Sequence, residues 1–360
     1  MHLARLRLRD FRNYPRLDLT FEPGFHVFLG NNAQGKTNIL EAIYLLATLR
    51  SFRGVGGAQL IRHGQPGYFI GATAVAQESR EIKLYWSPKE RQLSLNAQPV
   101  KRLTDFLGVL RAVVFCTEDL LLIKGTSRQR RRYIDLLLSQ THPNYLGLLQ
   151  RYAKALRSRN LILKQRTPDE ATLESFSREL LASGTEILRL RREFIPKLSP
   201  LVRLACRRVA RDAEEVRIDY APGVKNDFAL ELAKSKPRER AMRTTVVGPH
   251  REDLNILLNE RSAAQFASEG QKRTLAIGLK IAQAEFLTGV HGSPPVLLID
   301  DVMGELDADR RSGLLPLLER SHQARGQVFM TCTEENWPQE LGQRLHRWKV
   351  ASGSLEALRT

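Results

Sequence analysis

Between Gly30 and Asn38 the chain reads Gly-Asn-Asn-Ala-Gln-Gly-Lys-Thr-Asn, two glycines separated by four residues and followed at once by a cation and a hydroxyl. Those residue types at that spacing can cradle a polyphosphate. Gly30 and Gly35 let the backbone curl until its N–H groups converge on an anion. Lys36 can reach β- and γ-phosphates, and the Thr37 hydroxyl can ligate Mg²⁺. A short apolar run, Gly24 to Leu29, precedes the loop. Thr37 to Leu49 then carries Ile39, Leu40, Ile43, Leu46 and Ala47 at a helical period. Strand, glycine loop and helix in that order predict a P-loop, and the helix N-terminus adds its partial positive charge. Gly30, Asn31, Asn32, Ala33, Gln34, Gly35, Lys36, Thr37 and Asn38 are then expected to hold ATP with Mg²⁺.

A second site half is needed, and the sequence offers one. Val296-Leu297-Leu298-Ile299 runs into Asp300 and Asp301, an apolar strand that ends in two carboxylates. As a Walker B strand it would give Asp300 to Mg²⁺ and Asp301 to the attacking water. An apolar run ending in Asp-Asp is a weak motif alone and a strong one beside a P-loop. Ser268-Glu269-Gly270-Gln271, ahead of an amphipathic helix, can be a plain helix cap. It also resembles the S-x-G-[GQ] signature of ABC-type ATPases, which faces the γ-phosphate bound to the opposite subunit. Ser268, Gly270 and Gln271 are the residues that match. Gly304-Glu305-Leu306-Asp307 matches the D-loop of that class and adds Asp307 to the set. The strand Gln327 to Thr333 has no histidine after it, which leaves Thr331 or Thr333 for the sensor position.

The elements that must position these groups fall into three blocks. In residues 1–122, alternating strands (His2 to Arg9, Leu17 to Phe21, Tyr68 to Ala76, Arg80 to Trp86, Gln92 to Leu95) predict a small antiparallel sheet beside the P-loop. Ala112 to Cys116 reads as a buried strand, capped by Thr117-Glu118-Asp119. Residues 123–211 read as long helices broken at Thr141-His142-Pro143, Thr167-Pro168-Asp169 and Ile195-Pro196. Residues 212–360 return to strands at Val216 to Tyr220, Thr244 to Val247 and Asp253 to Leu258, then reach the signature and Walker B segments. Gly248-Pro249-His250-Arg251 is a turn with two potential anion-facing side chains.

The net charge is +17, with a pI near 10.1, in a chain whose 42% hydrophobic and 26% charged residues are ordinary for a globular protein. Lys124 to Arg211 holds 20 Lys plus Arg against 7 Asp plus Glu, most of the excess in a quarter of the length. Concentrated so, the charge predicts a nucleic-acid footprint rather than a solvated helix face. Arg128, Arg130, Arg131 and Arg132 form its densest cluster. No stretch is long and apolar enough to span a bilayer, and the first residues lack a signal peptide's apolar core. Cys116, Cys206 and Cys332 are too scattered for a zinc site or disulfide framework and fit a reducing cytoplasm.

Taken together, LRLRDFRNY, GNNAQGKTNILEAI, FCTEDLLLIKG with RRRYID, VGPHRED, SEGQKR and LLIDDVMGELD resemble, in order from residue 6 to 307, the RecF family of recombinational-repair ATPases related to SMC proteins. The resemblance implies an α/β fold: an ABC-type (SMC-like) P-loop ATPase head with an antiparallel β subdomain and an inserted helical arm. It implies an ATP-dependent homodimer on double-stranded or gapped DNA and single-strand/double-strand junctions, with little sequence specificity. It also implies weak, DNA-stimulated ATP hydrolysis, and work with RecR and RecO in loading RecA. Asp301 stands where ABC transporters and SMC proteins carry Glu, and the shorter reach fits slow turnover. A transport or other assembly ATPase subunit is the alternative, but it leaves the basic helical insert unexplained. A non-hydrolysing scaffold sits poorly with two complete Walker motifs.

Overall fold

Unbroken apolar runs need cover on both faces, and in this chain they become the middle of a parallel sheet. The structure, a computed structural model, describes residues 1–210, 214–305, 307–333, 341 and 344–358, with Glu305, Ala308, Asp309 and His322 described through their backbone only. Its strands are β1 (His2–Phe11), β2 (Tyr14–Thr20), β3 (Gly24–Leu29), β4 (Tyr68–Val75), β5 (Ser79–Trp86), β6 (Arg91–Leu95), β7 (Gln98–Pro99), β8 (Ala112–Phe115), β9 (Val216–Ala221), β10 (Asp253–Leu258), β11 (Arg261–Ser262), β12 (Val296–Asp300), β13 (Gln327–Cys332), β14 (Leu345–Ala351) and β15 (Ser354–Leu358). The chain divides into two compact units. One comprises Met1–Leu120, Leu204–Glu214 and Glu269–Thr360, the other Leu121–Arg203 and Glu215–Ser268.

The first unit holds two six-stranded sheets, ordered β15-β14-β3-β13-β12-β8 and β2-β1-β4-β5-β6-β7. In the former, β14, β3, β13, β12 and β8 run parallel and β15 returns antiparallel. The latter is antiparallel throughout. In β1, Leu3, Leu6, Leu8 and Phe11 point into the core, and a register shift between Leu3 and Arg5 reconciles that spacing with strand alternation. The helix Lys36–Thr48 meets β8, β12 and β13 of one sheet and β5 of the other. It is therefore buried almost all round rather than along one stripe. Val296 to Ile299, Phe329 and Phe28 are each at most 1% exposed, so each contributes about 1.5–3 kcal/mol of burial.

In the second unit, helices Ser127–Thr141 and Tyr145–Leu163 and most of Glu170–Ala210 accompany a small antiparallel sheet, β11-β10-β9. The expected breaks near Pro143 and Pro168 fall between helices. The expected break at Pro196 does not occur: the helix runs from Glu170 to Ala210 through Pro196 and Pro200. Phe194, Ile195, Leu198 and Val202 are buried on either side of the prolines. Tertiary packing thus outweighs the lost helical hydrogen bonds.

Residues 215–268, expected to belong with the C-terminal block, cluster instead with the helices, where β10 packs on Ser127–Thr141. Their strand pattern is genuine but serves a separate sheet. Thr244 to Val247 is not a strand. Its backbone donors go to side chains, Thr245 N–H to Asn160 Oδ1 at 2.8 Å and Val246 N–H to Glu239 Oε1 at 3.2 Å.

Candidate functional site

β3 delivers the chain to Gly30, and the helix Lys36–Thr48 starts directly after Gly35. Gly35 has φ +114°, and a Cβ there would stand 2.6 Å from Asn13 Nδ2 and 2.8 Å from the Tyr14 hydroxyl. Those groups are the braces of the loop. Tyr14 donates to the Gly35 carbonyl at 3.0 Å and Asn13 to the Gln34 carbonyl at 2.9 Å, both from the turn between β1 and β2. Asn13 also accepts from Asn38 at 2.8 Å. From the other side, the turn between β14 and β15 gives Ser352 N–H to Gln34 Oε1 at 2.7 Å. Neither brace was legible from the loop sequence. Asn13 and Tyr14 belong to the run LRLRDFRNY, whose sequence carries no sign of contact with the loop, and the β14–β15 hairpin carries no clear signal at all.

Lys36 is 7% exposed and donates to the carbonyls of Gly30 and Asn31, at 2.5 and 3.0 Å. Burial pulls its ammonium below the ordinary lysine value, and the carboxylates of Asp301 and Asp300 oppose that pull. Asn31, Asn32 and Ala33 form the exposed crest of the loop. Asn32 through Asn38 line an open cleft of about 500 Å³, faced by Arg12, Arg53, Asp301 and Thr331. That volume suits a nucleotide-sized ligand.

Parallel pairing of β12 with β13, and of β13 with β3, brings the acids to the same edge as the loop. Thr37 Oγ1 donates to Asp300 Oδ1 at 2.8 Å, and Thr331 Oγ1 donates to the same oxygen at 2.9 Å. Thr331 also accepts from Asp301 N–H at 2.9 Å, with Asp301 itself at φ +54°. Burial pushes the Asp300 carboxyl up, and the two hydroxyl donors pull it back. Asp301 is exposed. Of the two threonines considered for the sensor position, Thr331 is tied into the acid pair and Thr333 faces solvent. A cation, a hydroxyl and two carboxylates in unlike environments form a donor set for a magnesium–polyphosphate, whose hard ion prefers oxygen ligands.

The signature segment straddles the division of the chain, Ser268 ending the second unit and Glu269 opening the helix Glu269–His291 in the first. Lys280, one face of that helix, pairs with Asp119 at 3.4 Å just beyond β8, both with little exposure. Gln271 Nε2 donates to Glu214 at 2.6 Å. Arg310, to which sequence reading gave no role, lies over Gly270: its Nη2 is 2.7 Å from where a Cβ would stand. It donates to Thr274 Oγ1 at 2.9 Å and forms an ion pair with Asp307. Arg310 thus ties the expected D-loop acid to the expected signature helix. Leu306 of that D-loop lies outside the described residues, as do Arg211 and Asp212 at the expected domain boundary.

Two arginines of the basic cluster in the second unit are held by internal acceptors. Arg130 binds Asp253 through two hydrogen bonds of 2.7 and 2.9 Å and also the Gly125 carbonyl. Arg131 donates to the Glu252 carbonyl. Both were expected to face DNA, yet both hold their own unit together, because carboxylates distant in sequence meet them in space. Arg132 is exposed, and Arg128 is exposed. His250 likewise turns inward, meeting Tyr152 at 2.6 Å and the Thr245 carbonyl at 3.1 Å, whereas Arg251 is exposed and donates to that carbonyl.

Residues 2–353 match the family described as RecF/RecN/SMC N terminal domain. The chain is 37% identical to the DNA replication and repair protein RecF of Lactobacillus johnsonii, covering 93% of each chain. It is 37% identical to the protein of the same name from Lactococcus lactis, covering 99% of each. Among solved structures it resembles the recombination mediator protein RecF with ATP, in the RecFOR pathway, with TM-score 0.89, 31% identity, and coverage of 99% of this chain and 97% of that one. An Smc head domain from Pyrococcus furiosus shares the fold, with TM-score 0.57 at 16% identity. Among the described residues no helix is long and apolar enough to cross a membrane.

Proposed function

The chain belongs to the RecF family of DNA replication and repair proteins, and on that premise we propose that it is an ATP-driven DNA-binding switch of recombinational repair. Two protomers enclose two nucleotides. Lys36, Thr37, Asp300 and Asp301 of one chain act with Ser268, Gly270, Gln271 and Asp307 of the other. Lys36 neutralises the β- and γ-phosphates, and the loop N–H groups hold them. Thr37 and Asp300 would hold Mg²⁺, which supplies charge neutralisation between the phosphates when bound. Asp301, exposed at the cleft, orients water for slow, DNA-stimulated hydrolysis that returns the dimer to monomers. DNA, double-stranded or gapped, is bound through phosphates with little sequence preference. The protein works in the cytoplasm with RecO and RecR to place RecA on gaps.

The observation that supports this most is the Thr37–Asp300 hydrogen bond, which joins the P-loop to the Walker B acid across 263 residues of sequence. Sedimentation of wild type and Lys36→Arg, with and without ATP and a short gapped duplex, tests the proposal. ATP should convert wild type to a DNA-bound dimer and leave the variant monomeric. DNA binding that is tight but indifferent to ATP overturns the switch.

A further inference from the structure

Ten residues of the second unit, Lys234-Ser-Lys-Pro-Arg-Glu-Arg-Ala-Met-Arg243, carry five basic side chains and one acid. The acid, Glu239, is 1% exposed and neutralised inside the unit by Arg159. Every charge this stretch presents to solvent is therefore positive: Lys234, Lys236, Arg238, Arg240 and Arg243 are all exposed.

The stretch is pinned beside a second basic segment. Asn160 accepts from Thr245 N–H at 2.8 Å, and Arg240 donates to Glu170 at 2.5 Å. Those two tethers bracket the loop from Lys164 to Asp169, which carries Lys164 and Arg166, both exposed. Lys164, Arg166, Lys234, Arg238 and Arg243 have no carboxylate partner among the described residues, whereas Arg240 is paired with Glu170 and Lys236 lies 4.0 Å from Glu174. The contrast with Arg130 and Arg131, both held by internal acceptors, is direct.

We infer that this end of the second unit, built from the 164–169 loop and the 234–243 segment, is a phosphate-binding contact for duplex DNA. The inference rests on the DNA-binding reading proposed above and assigns it a surface other than the Arg128–Arg132 cluster. Unpaired, exposed cations on two neighbouring segments can neutralise phosphates without first breaking an ion pair, and they read no bases. Exposed Leu161 and Met242 are scattered apolar residues of the ordinary kind and do not by themselves indicate a protein partner.

The test is binding of a fluorescent 30-base-pair duplex by the full chain with ATP, at several salt concentrations. The variant replaces Lys164, Arg166, Arg238 and Arg243 by Gln. Each lost phosphate contact lowers the salt slope by about 0.9. The variant should bind at least tenfold more weakly with a slope shallower by about 2 or more, and should still dimerise with ATP. Arg189→Gln, which removes a cation already paired with Glu186 and Glu193, should leave the slope unchanged. Wild-type binding with an unaltered slope in the fourfold variant overturns the surface and leaves the DNA switch standing. Equal weakening by Arg189→Gln overturns it in favour of a general charge effect. Absence of duplex binding by wild type removes the underlying reading as well.

Discussion

Replacing Arg159 by alanine would show how the second unit is held together. Arg159 and Glu239 are each 1% exposed. The guanidinium gives Glu239 hydrogen bonds of 3.0 and 2.6 Å and donates to the hydroxyls of Ser177 and Thr245 at 2.9 Å each. In Arg159→Ala the carboxylate stays buried, with the Val246 N–H at 3.2 Å as its remaining partner among the described residues. Leaving one member of a buried pair uncompensated costs about 3–5 kcal/mol. Whole domains are stable by only about 5–15 kcal/mol, so the helices should unfold at visibly lower denaturant. Removing both charges is a different perturbation. Arg159→Met with Glu239→Leu leaves no stranded ion and should fall within about 2 kcal/mol of wild type. The coupling energy from the double-mutant cycle should then be several kcal/mol. Urea titration followed by far-ultraviolet circular dichroism is suitable, since the long helices dominate that signal. A cost below about 1 kcal/mol for Arg159→Ala would refute the reasoning, as would a double variant as unstable as the sum of the singles.

Burial, reinforced by Arg251, Arg131 and Arg159, holds the His250 imidazole down at about 4, while its bond to the Thr245 carbonyl opposes that fall. The unfolded chain takes up this proton near 6.5. The histidine's contribution to stability is therefore complete above about pH 6.5 and is lost as pH falls toward 4, by up to about 1.4 kcal/mol per pH unit. His250→Gln should flatten that limb in a pH series of urea midpoints, and an unchanged limb would exclude His250 as its source. Gly35→Ala, forced to φ +114° and against Asn13 and Tyr14, should weaken ATP binding at least tenfold by equilibrium dialysis with helix content preserved. Wild-type affinity would show that the loop tolerates the methyl. Arg310→Met should keep ATP affinity in the monomer but lose ATP-driven dimerisation in sedimentation, and an intact dimer would deny Arg310 any part in positioning the signature segment.

The parts of the site that could be read from the sequence are those whose residues are neighbours in it. Gly30 to Thr37 and Val296 to Asp301 each carry strand, turn and chemistry within one short run, so their types and order suffice. Partners that meet only in space left no such mark. Asn13 under the loop depends on a turn distant in sequence and Arg310 over Gly270 on the packing of two helices, while the choice of Thr331 over Thr333 depends on the pairing of β13 with β12. The same limit misplaced the arginines: local density identified Arg130 and Arg131, but Asp253 and the Glu252 carbonyl decide where they point. Local propensity also misled at Pro196, where buried neighbours keep the helix continuous, and at Thr244 to Val247, where side chains of Asn160 and Glu239 occupy the backbone donors a strand would use.

The bracing of the phosphate loop by the β14–β15 turn bears on how the molecule is made. β3, complete by residue 29, pairs on one side with β13 and on the other with β14, and Gln34 is held by Ser352. During synthesis the P-loop emerges some 300 residues ahead of its strand partners. Contacts separated by some 300 residues carry the slowest loop closures in a fold. The N-terminal sheet can form early around β1, β4 and β5, while β3 gains its neighbours only with β13 and β14. A chain clipped before β13 and β14 would therefore carry every residue of the Walker A loop while lacking both strands that flank β3 and the Ser352 contact that holds Gln34.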